Sequence, residues 1–145
     1  YAVDSSDSAL DVAAYNIRTH NVSDRVTLGK GDLLEPLQES VDLIVANLPY
    51  LPTSRIPTLQ PEIQWEPTLA LDGGEDGLVA IRRLLSQAPG KVKEQATILL
   101  ELDPEQVPAV EELAKTYFPN ATTSVEQDLA HLDRIFVISQ GVGED

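Results

Sequence analysis

The sequence predicts an α/β protein: a mostly parallel sheet with helices on both faces, closed by an antiparallel hairpin. Two observations predict it. Segments with apolar residues at helical spacing alternate with short apolar runs suited to buried strands. The last two strand-like runs then follow one another with no helix between them. The alternation implies parallel pairing through right-handed crossovers, and the ending implies an antiparallel edge.

Tyr1 to Asp4 reads as a short strand. Ser6 suits a helix N-cap, Asp7 suits the positive end of the helix dipole, and Leu10, Ala13, Ala14 and Ile17 make residues 7 to 19 amphipathic. Asn21 is the stop signal. Val26 to Leu28 is expected as a second strand, closed by Gly29-Lys30-Gly31-Asp32, and Leu33 to Ser40 as a connector. Val41 to Ala46 is apolar on both faces and reads as a buried parallel strand. From Leu48 to Gly74 regularity is poor, with prolines at 49, 52, 57, 61 and 67, and a loop of that length is usually functional. A helix is expected from Asp76 to Gln87, a doubly buried strand from Ala96 to Leu102, and a helix from Pro104 to about Phe118. Thr122 to Glu126 and Arg134 to Ser139 are the closing strands. Residues 1–139 are thus read as one partial domain and 140–145 as a frayed tail.

Bulk composition narrows the function. Ten basic residues against 24 acidic give a net charge of −14, which disfavours long-range attraction to nucleic acid. No stretch approaches the roughly 18 uninterrupted apolar residues of a membrane helix. With no cysteine there is no disulfide framework and no thiolate metal site, which fits a cytoplasmic protein. His20 and His131 have no clustered partners and are expected at the surface, not on a metal. Trp65 is read as loop packing, with a substrate-facing role as the alternative.

Ligands of doubly wound sheets sit beyond the carboxyl ends of the strands. Three polar features fall there: Asp4, the Gly31-Asp32 pair, and Asn47-Leu48-Pro49-Tyr50. Asp4 either accepts hydrogen bonds from ribose hydroxyls or helps cap the following helix. Asp32 either accepts from an adenine amino group or is an ordinary turn aspartate. In Asn47 to Tyr50, the Asn47 side-chain oxygen and the Leu48 carbonyl can accept the two N–H bonds of a planar nitrogen, aiming its lone pair at an electrophile. Pro49 keeps Leu48 out of the helical region, and Tyr50 offers a flat face to a planar group. The other reading is a plain strand exit with a proline turn.

The stretch VDLIVANLPY, 41–50, resembles the (D/N)PPY loop of methyltransferases that act on planar nitrogen. Downstream, 66–78 (EPTLALDGGEDGL) resembles the EPxxAL-GG-DGL segment of the HemK/PrmC family, which methylates the glutamine of the Gly-Gly-Gln motif in class I peptide chain release factors. Leu99-Leu100-Glu101 and the 128–134 stretch (DLAHLDR) are similar to that family's LLLE and DLAGxDR segments. The resemblance runs from Tyr1 to about Ser139. It implies a class I, Rossmann-like methyltransferase fold and S-adenosyl-L-methionine as cofactor. It further implies that Asn47 and the Leu48 carbonyl bind the substrate amide, that Tyr50 packs on it, and that Pro49 belongs to the same catalytic loop. Asp4 would bind the cofactor ribose, Asp32 and Leu33 would lie beside the adenine, and Asn47 would border the cofactor. Glu66 and Pro67 would shape the loop. Gly73-Gly74 has a second reading, a plain turn before a helix.

Two departures stand out. Leu48 replaces the family's usual proline, and an NLPY loop also occurs in ribosomal RNA adenine dimethyltransferases, so an adenine-amine methyltransferase of RNA or DNA is the alternative. After Glu101 the chain reads Leu102-Asp103-Pro104-Glu105-Gln106, where a glycine-containing stretch is common. The family's glycine-rich loop and central first strand have no counterpart in this sequence. A break in the sheet is therefore expected, with further chain upstream, and these residues alone are expected to be inactive. A non-catalytic fragment is the third reading.

Overall fold

The computed structural model describes residues 1–141. The expected tail, 140–145, lies mostly outside the described residues. Within it, the Gln140 N–H donates to the Ala96 carbonyl at 2.9 Å. The chain divides into two compact units, Tyr1–Ser40 and Val41–Asp145.

In the first unit, β1 (Ala2–Asp4) pairs in parallel with β2 (Leu28–Lys30), with Ala2 opposite Leu28 and Asp4 opposite Lys30. Between them runs α1 (Asp7–Thr19). Its start is as expected: the Ser6 hydroxyl accepts from the Ala9 N–H at 3.3 Å, with Asp7 in the first turn and Arg18 in the last. Asn21 ends the helix in the left-handed region, at φ 54°, as a short polar side chain can. The strand expected at Val26 to Leu28 starts two residues later. The Val26 N–H is held in a turn by the Val22 carbonyl, so pairing with β1 begins only beyond it.

The second unit holds a four-stranded sheet of order β3-β4-β6-β5. β3 (Val41–Ala46) and β4 (Val92–Glu101) are parallel. β6 (Asp133–Ser139) inserts between β4 and β5 (Thr122–Gln127), antiparallel to both. The expected break in the sheet is therefore present: β1 and β2 pair with each other, and neither pairs with these four strands.

One face of the four-stranded sheet makes the core. Ile44, Ile98 and Ile138 stand in register, as do Ala46, Leu100 and Phe136. All of these except Ala46 are buried. They go with the buried stripes of α3 (Val79–Gln87; Ile81, Leu84, Leu85) and α4 (Val107–Tyr117; Val110, Ala114), α4 packing on β5 and β6. The other face departs from expectation. Leu43 and Val45 are 52% and 71% exposed, and Leu99 and Val137 are only half-buried. Apolar composition gives a strand the capacity for burial, but burial also takes a covering layer.

The proline-rich stretch is more ordered than its sequence suggests. It contains 3₁₀ turns at Thr53–Thr58 and Ile63–Trp65 and the single-turn α2 (Thr68–Leu71). Pro52 and Pro67 stand at the N-caps of the first 3₁₀ segment and of α2, and Pro57 lies inside that 3₁₀ segment, which is short enough to hold it. No helix among the described residues is long and apolar enough to cross a membrane.

Candidate active site

β3 ends at Ala46, opposite Leu100 of β4, so Asn47 leaves the sheet beside the carboxyl end of a parallel neighbour. The Asn47 carboxamide is exposed and makes no hydrogen bond within the described residues. The Leu48 carbonyl likewise accepts none there. Both acceptors of the predicted pair are thus free to serve a ligand.

Tyr50 is fixed at both its ends. Its phenol donates to Glu101 Oε1 at 3.1 Å, across from the end of β4. Burial, and then the Glu101 carboxylate, raise the phenol above the ordinary tyrosine range. Its backbone carbonyl accepts from Gln106 Nε2 at 2.8 Å.

The loop is also woven into the segment 72–79. Leu51 and Asp72 form a parallel bridge: the Leu51 N–H donates to the Leu71 carbonyl (3.1 Å), and the Gly73 N–H donates to the Leu51 carbonyl (2.8 Å). The Thr53 N–H donates to the Gly74 carbonyl at 2.9 Å. Asp72 Oδ1 accepts from the Thr53 hydroxyl (2.7 Å) and the Gly74 N–H (2.9 Å), which together hold its carboxyl below the usual range. Approach is closest at two glycines. A Cβ on Gly73 would stand 2.5 Å from the Gly77 carbonyl oxygen and 2.7 Å from that of Pro49. A Cβ on Gly77, at φ 75°, would stand 2.2 Å from the Tyr50 carbonyl oxygen. Only glycine fits there. The plain-turn reading of this segment is therefore too weak. The expected helix start at Asp76 moves to Val79 for the same reason: Gly77 is left-handed, and Asp76 turns its carboxylate to the Leu78 N–H (3.1 Å) and pairs with Arg82.

Asp4 and Asp32-Leu33 belong to the first unit, where parallel pairing brings them together at the carboxyl ends of β1 and β2. The Gly31 N–H donates to the Asp4 carbonyl at 3.2 Å. Asp4 Oδ1 accepts from the Ser6 N–H at 2.8 Å, and its exposed second oxygen has no partner among the described residues. Both readings of Asp4 thus have a carboxylate oxygen available, one for the helix entry and one for a ribose hydroxyl. Leu33 sits at φ 52°, an unusual conformation for leucine and the mark of a built turn. The carboxyl ends of β1 and β2 thus present an exposed carboxylate oxygen beside a turn that includes a residue at positive φ.

The sequence reading missed Gln106. It had an available signal, the Asp-x-x-Gln spacing of a capping box, since Gln106 Oε1 accepts from the Asp103 N–H at 3.0 Å. Trp65 is 90% exposed, so loop packing does not describe it. His20 and His131 are both exposed, at the end of α1 and in the turn before β6.

No family model matches the chain. Individual relatives do. The chain is 44% identical over 144 residues to the release factor glutamine methyltransferase of Thermosynechococcus vestitus, covering 97% of this chain and 49% of that protein. It is also 44% identical over 102 residues to the ribosomal protein uL3 glutamine methyltransferase of Bradyrhizobium diazoefficiens, covering 70% of this chain and 32% of the relative. Among solved structures, a methyltransferase from Pyrococcus furiosus shares the fold, with a TM-score of 0.72 at 16% identity, over 97% of this chain and 62% of that one. The chain spans about half the length of the release factor relatives it matches. The chain is thus similar, along nearly its whole length, to about half the length of release factor glutamine methyltransferases, and it shares the Rossmann-like fold of a solved methyltransferase.

Proposed function

We propose that the protein transfers a methyl group from S-adenosyl-L-methionine to the side-chain amide nitrogen of the Gly-Gly-Gln glutamine in class I peptide chain release factors. The observation that carries this reading is the free acceptor pair, the Asn47 carboxamide and the Leu48 carbonyl, at the head of a loop anchored by Tyr50 and the glycine segment. An amide nitrogen is a poor nucleophile because its lone pair is delocalised. Asn47 Oδ1 and the Leu48 carbonyl accept its two N–H bonds, which fixes the amide plane and turns the lone pair toward the methyl carbon. Tyr50 packs its ring on the amide and remains a neutral phenol, since burial and Glu101 oppose ionisation. Pro49 holds the Leu48 carbonyl in an extended backbone. Asp4 takes the ribose hydroxyls, and Asp32 and Leu33 flank the adenine. When bound, S-adenosylmethionine supplies the electrophilic methyl and keeps the electron pair of the broken carbon–sulfur bond, while nitrogen gains the methyl and loses one proton.

A second reading keeps the chemistry and changes the acceptor to the glutamine of ribosomal protein uL3, on the strength of the equal identity to that relative. The release factor reading takes precedence because its relatives align along 92–97% of the chain, against 70–75% for the uL3 relatives. The net charge of −14 supports a protein acceptor over an RNA or DNA adenine.

The test incubates the full-length protein with methyl-labelled S-adenosylmethionine and, separately, a purified release factor, uL3 and ribosomal RNA. Label is expected on the release factor. In Asn47→Ala, kcat is expected to drop about 100-fold or more, the scale on which a single preorganised polar contact matters. Transfer to RNA alone would sink the reading.

A further inference from the structure

Gln106 is the buried polar side chain of the described residues, at 7% exposure. It follows β4, 56 positions from Tyr50 and 30 from Asp76, yet its carboxamide joins both. One amide group donates from Nε2 to the Tyr50 carbonyl (2.8 Å) and the Asp76 carbonyl (3.3 Å), while its Oε1 accepts from the Asp103 N–H (3.0 Å). Every strong donor and acceptor of that side chain is therefore used, as burial requires. Gly77 leaves the space for this contact, since a Cβ there would stand 2.4 Å from Nε2. Asp103 steadies the same turn, accepting from the Glu105 N–H (3.3 Å) and pairing with Arg55 (2.7 Å) of the proline-rich stretch.

From this convergence we infer that Gln106 is a positioning residue for methyl transfer: its carboxamide locks the Tyr50 carbonyl to Asp76 and so fixes the loop that carries the Asn47 and Leu48 acceptors. The inference rests on the acceptor role proposed above for that loop. Capping alone would need only Oε1. The two N–H contacts reach across to the loop, and nothing in the start of α4 requires them. Glutamate keeps the shape of glutamine and its Oε1 but loses both donors, placing a carboxylate against two carbonyl oxygens. Alanine removes every contact.

Two measurements on the full-length protein separate this inference from the function it rests on. The first is hydrogen exchange of the wild type, Gln106→Glu and Gln106→Ala, which needs no substrate. Exchange is expected to quicken in the amides of 50–53 and 73–79 in both variants, with 108–117 of α4 unchanged in Gln106→Glu. Faster exchange confined to α4 in both variants, with the loop unaltered, would overturn the inference. The second is steady-state kinetics with S-adenosylmethionine and release factor. Gln106→Glu is expected to lower kcat at least tenfold while its KM for S-adenosylmethionine stays within threefold of wild type. It should recover part of kcat as pH falls, because a protonated carboxyl regains one donor. A kcat equal to wild type in Gln106→Glu would also overturn the inference. A wild type with no transferase activity defeats the proposed function instead, and the exchange result still decides whether Gln106 locks the loop.

Discussion

The two units differ in how they hold their strand ends. In Tyr1–Ser40 two three-residue strands make the sheet, α1 has no buried residue, and only Leu34 and Leu37 of the buried apolar residues lie there. In Val41–Asp145 four longer strands and two helices bury the rest of the core, and the loop after β3 is tied to two other segments through backbone and side-chain bonds. Each unit presents polar groups at the carboxyl ends of parallel strands, as doubly wound sheets do. The candidate acceptor loop sits on a scaffold with its own core. The candidate cofactor groups sit on a pair of strands with little buried surface of their own, so their local opening should be the easier.

The contrast is broken most directly in the core. Phe136 is almost fully buried between β4 and β5 partners, and Phe136→Ala is expected to cost about 3–5 kcal/mol by calorimetry or denaturant unfolding. Val12→Ala on α1, a residue 60% exposed, should stay within about 0.5 kcal/mol. Equal losses at the two positions would erase the distinction. The next effect is at Gly77. Gly77→Ala forces a side chain into a left-handed backbone against the Tyr50 carbonyl, a strain of about 1–3 kcal/mol. It should lower kcat along with stability, since it pushes on the loop itself. Unchanged kcat would show that the weave of 50–53 with 72–79 is structural only.

The smallest effect is a pH dependence. The Tyr50 phenol is raised, so the folded state holds that proton more tightly than the unfolded chain does. The stability it contributes is complete below the ordinary tyrosine value of 10.0 and is lost as pH climbs through the higher folded value. Thermal melts on either side of that value should show the loss in the wild type and a smaller one in Tyr50→Phe. Asp72 has the opposite sign. The Thr53 hydroxyl and the Gly74 N–H lower its carboxyl, so its contribution is present above 3.8 and disappears as pH falls through the lower folded value.

What could be read in the sequence was local or patterned. The Ser6 cap, the Asn21 stop and the bounds of β3 follow from a few neighbouring residues, and the closing hairpin from two strand runs in succession. The motif pair at 47–50 and 66–78 was legible as two segments, but their bridge at Leu51 and Asp72 is not a property of either one. The start of β2 was missed because a three-residue strand exists only where its partner pairs. Burial of both faces of β3 was read from composition, which does not say what covers Leu43 and Val45. Gln106 was legible only in part: its spacing from Asp103 is a local capping signal, but its other two partners lie 30 and 56 residues away.

The central claim is that the loop headed by Asn47 presents a glutamine amide for methylation. Fragmentation mass spectrometry of a release factor treated with the full-length protein and S-adenosylmethionine would locate the added methyl to one residue. The account predicts it on the side-chain nitrogen of the Gly-Gly-Gln glutamine, and absent after treatment with Asn47→Ala. A methyl on any other residue of the factor, or full modification by Asn47→Ala, would contradict it.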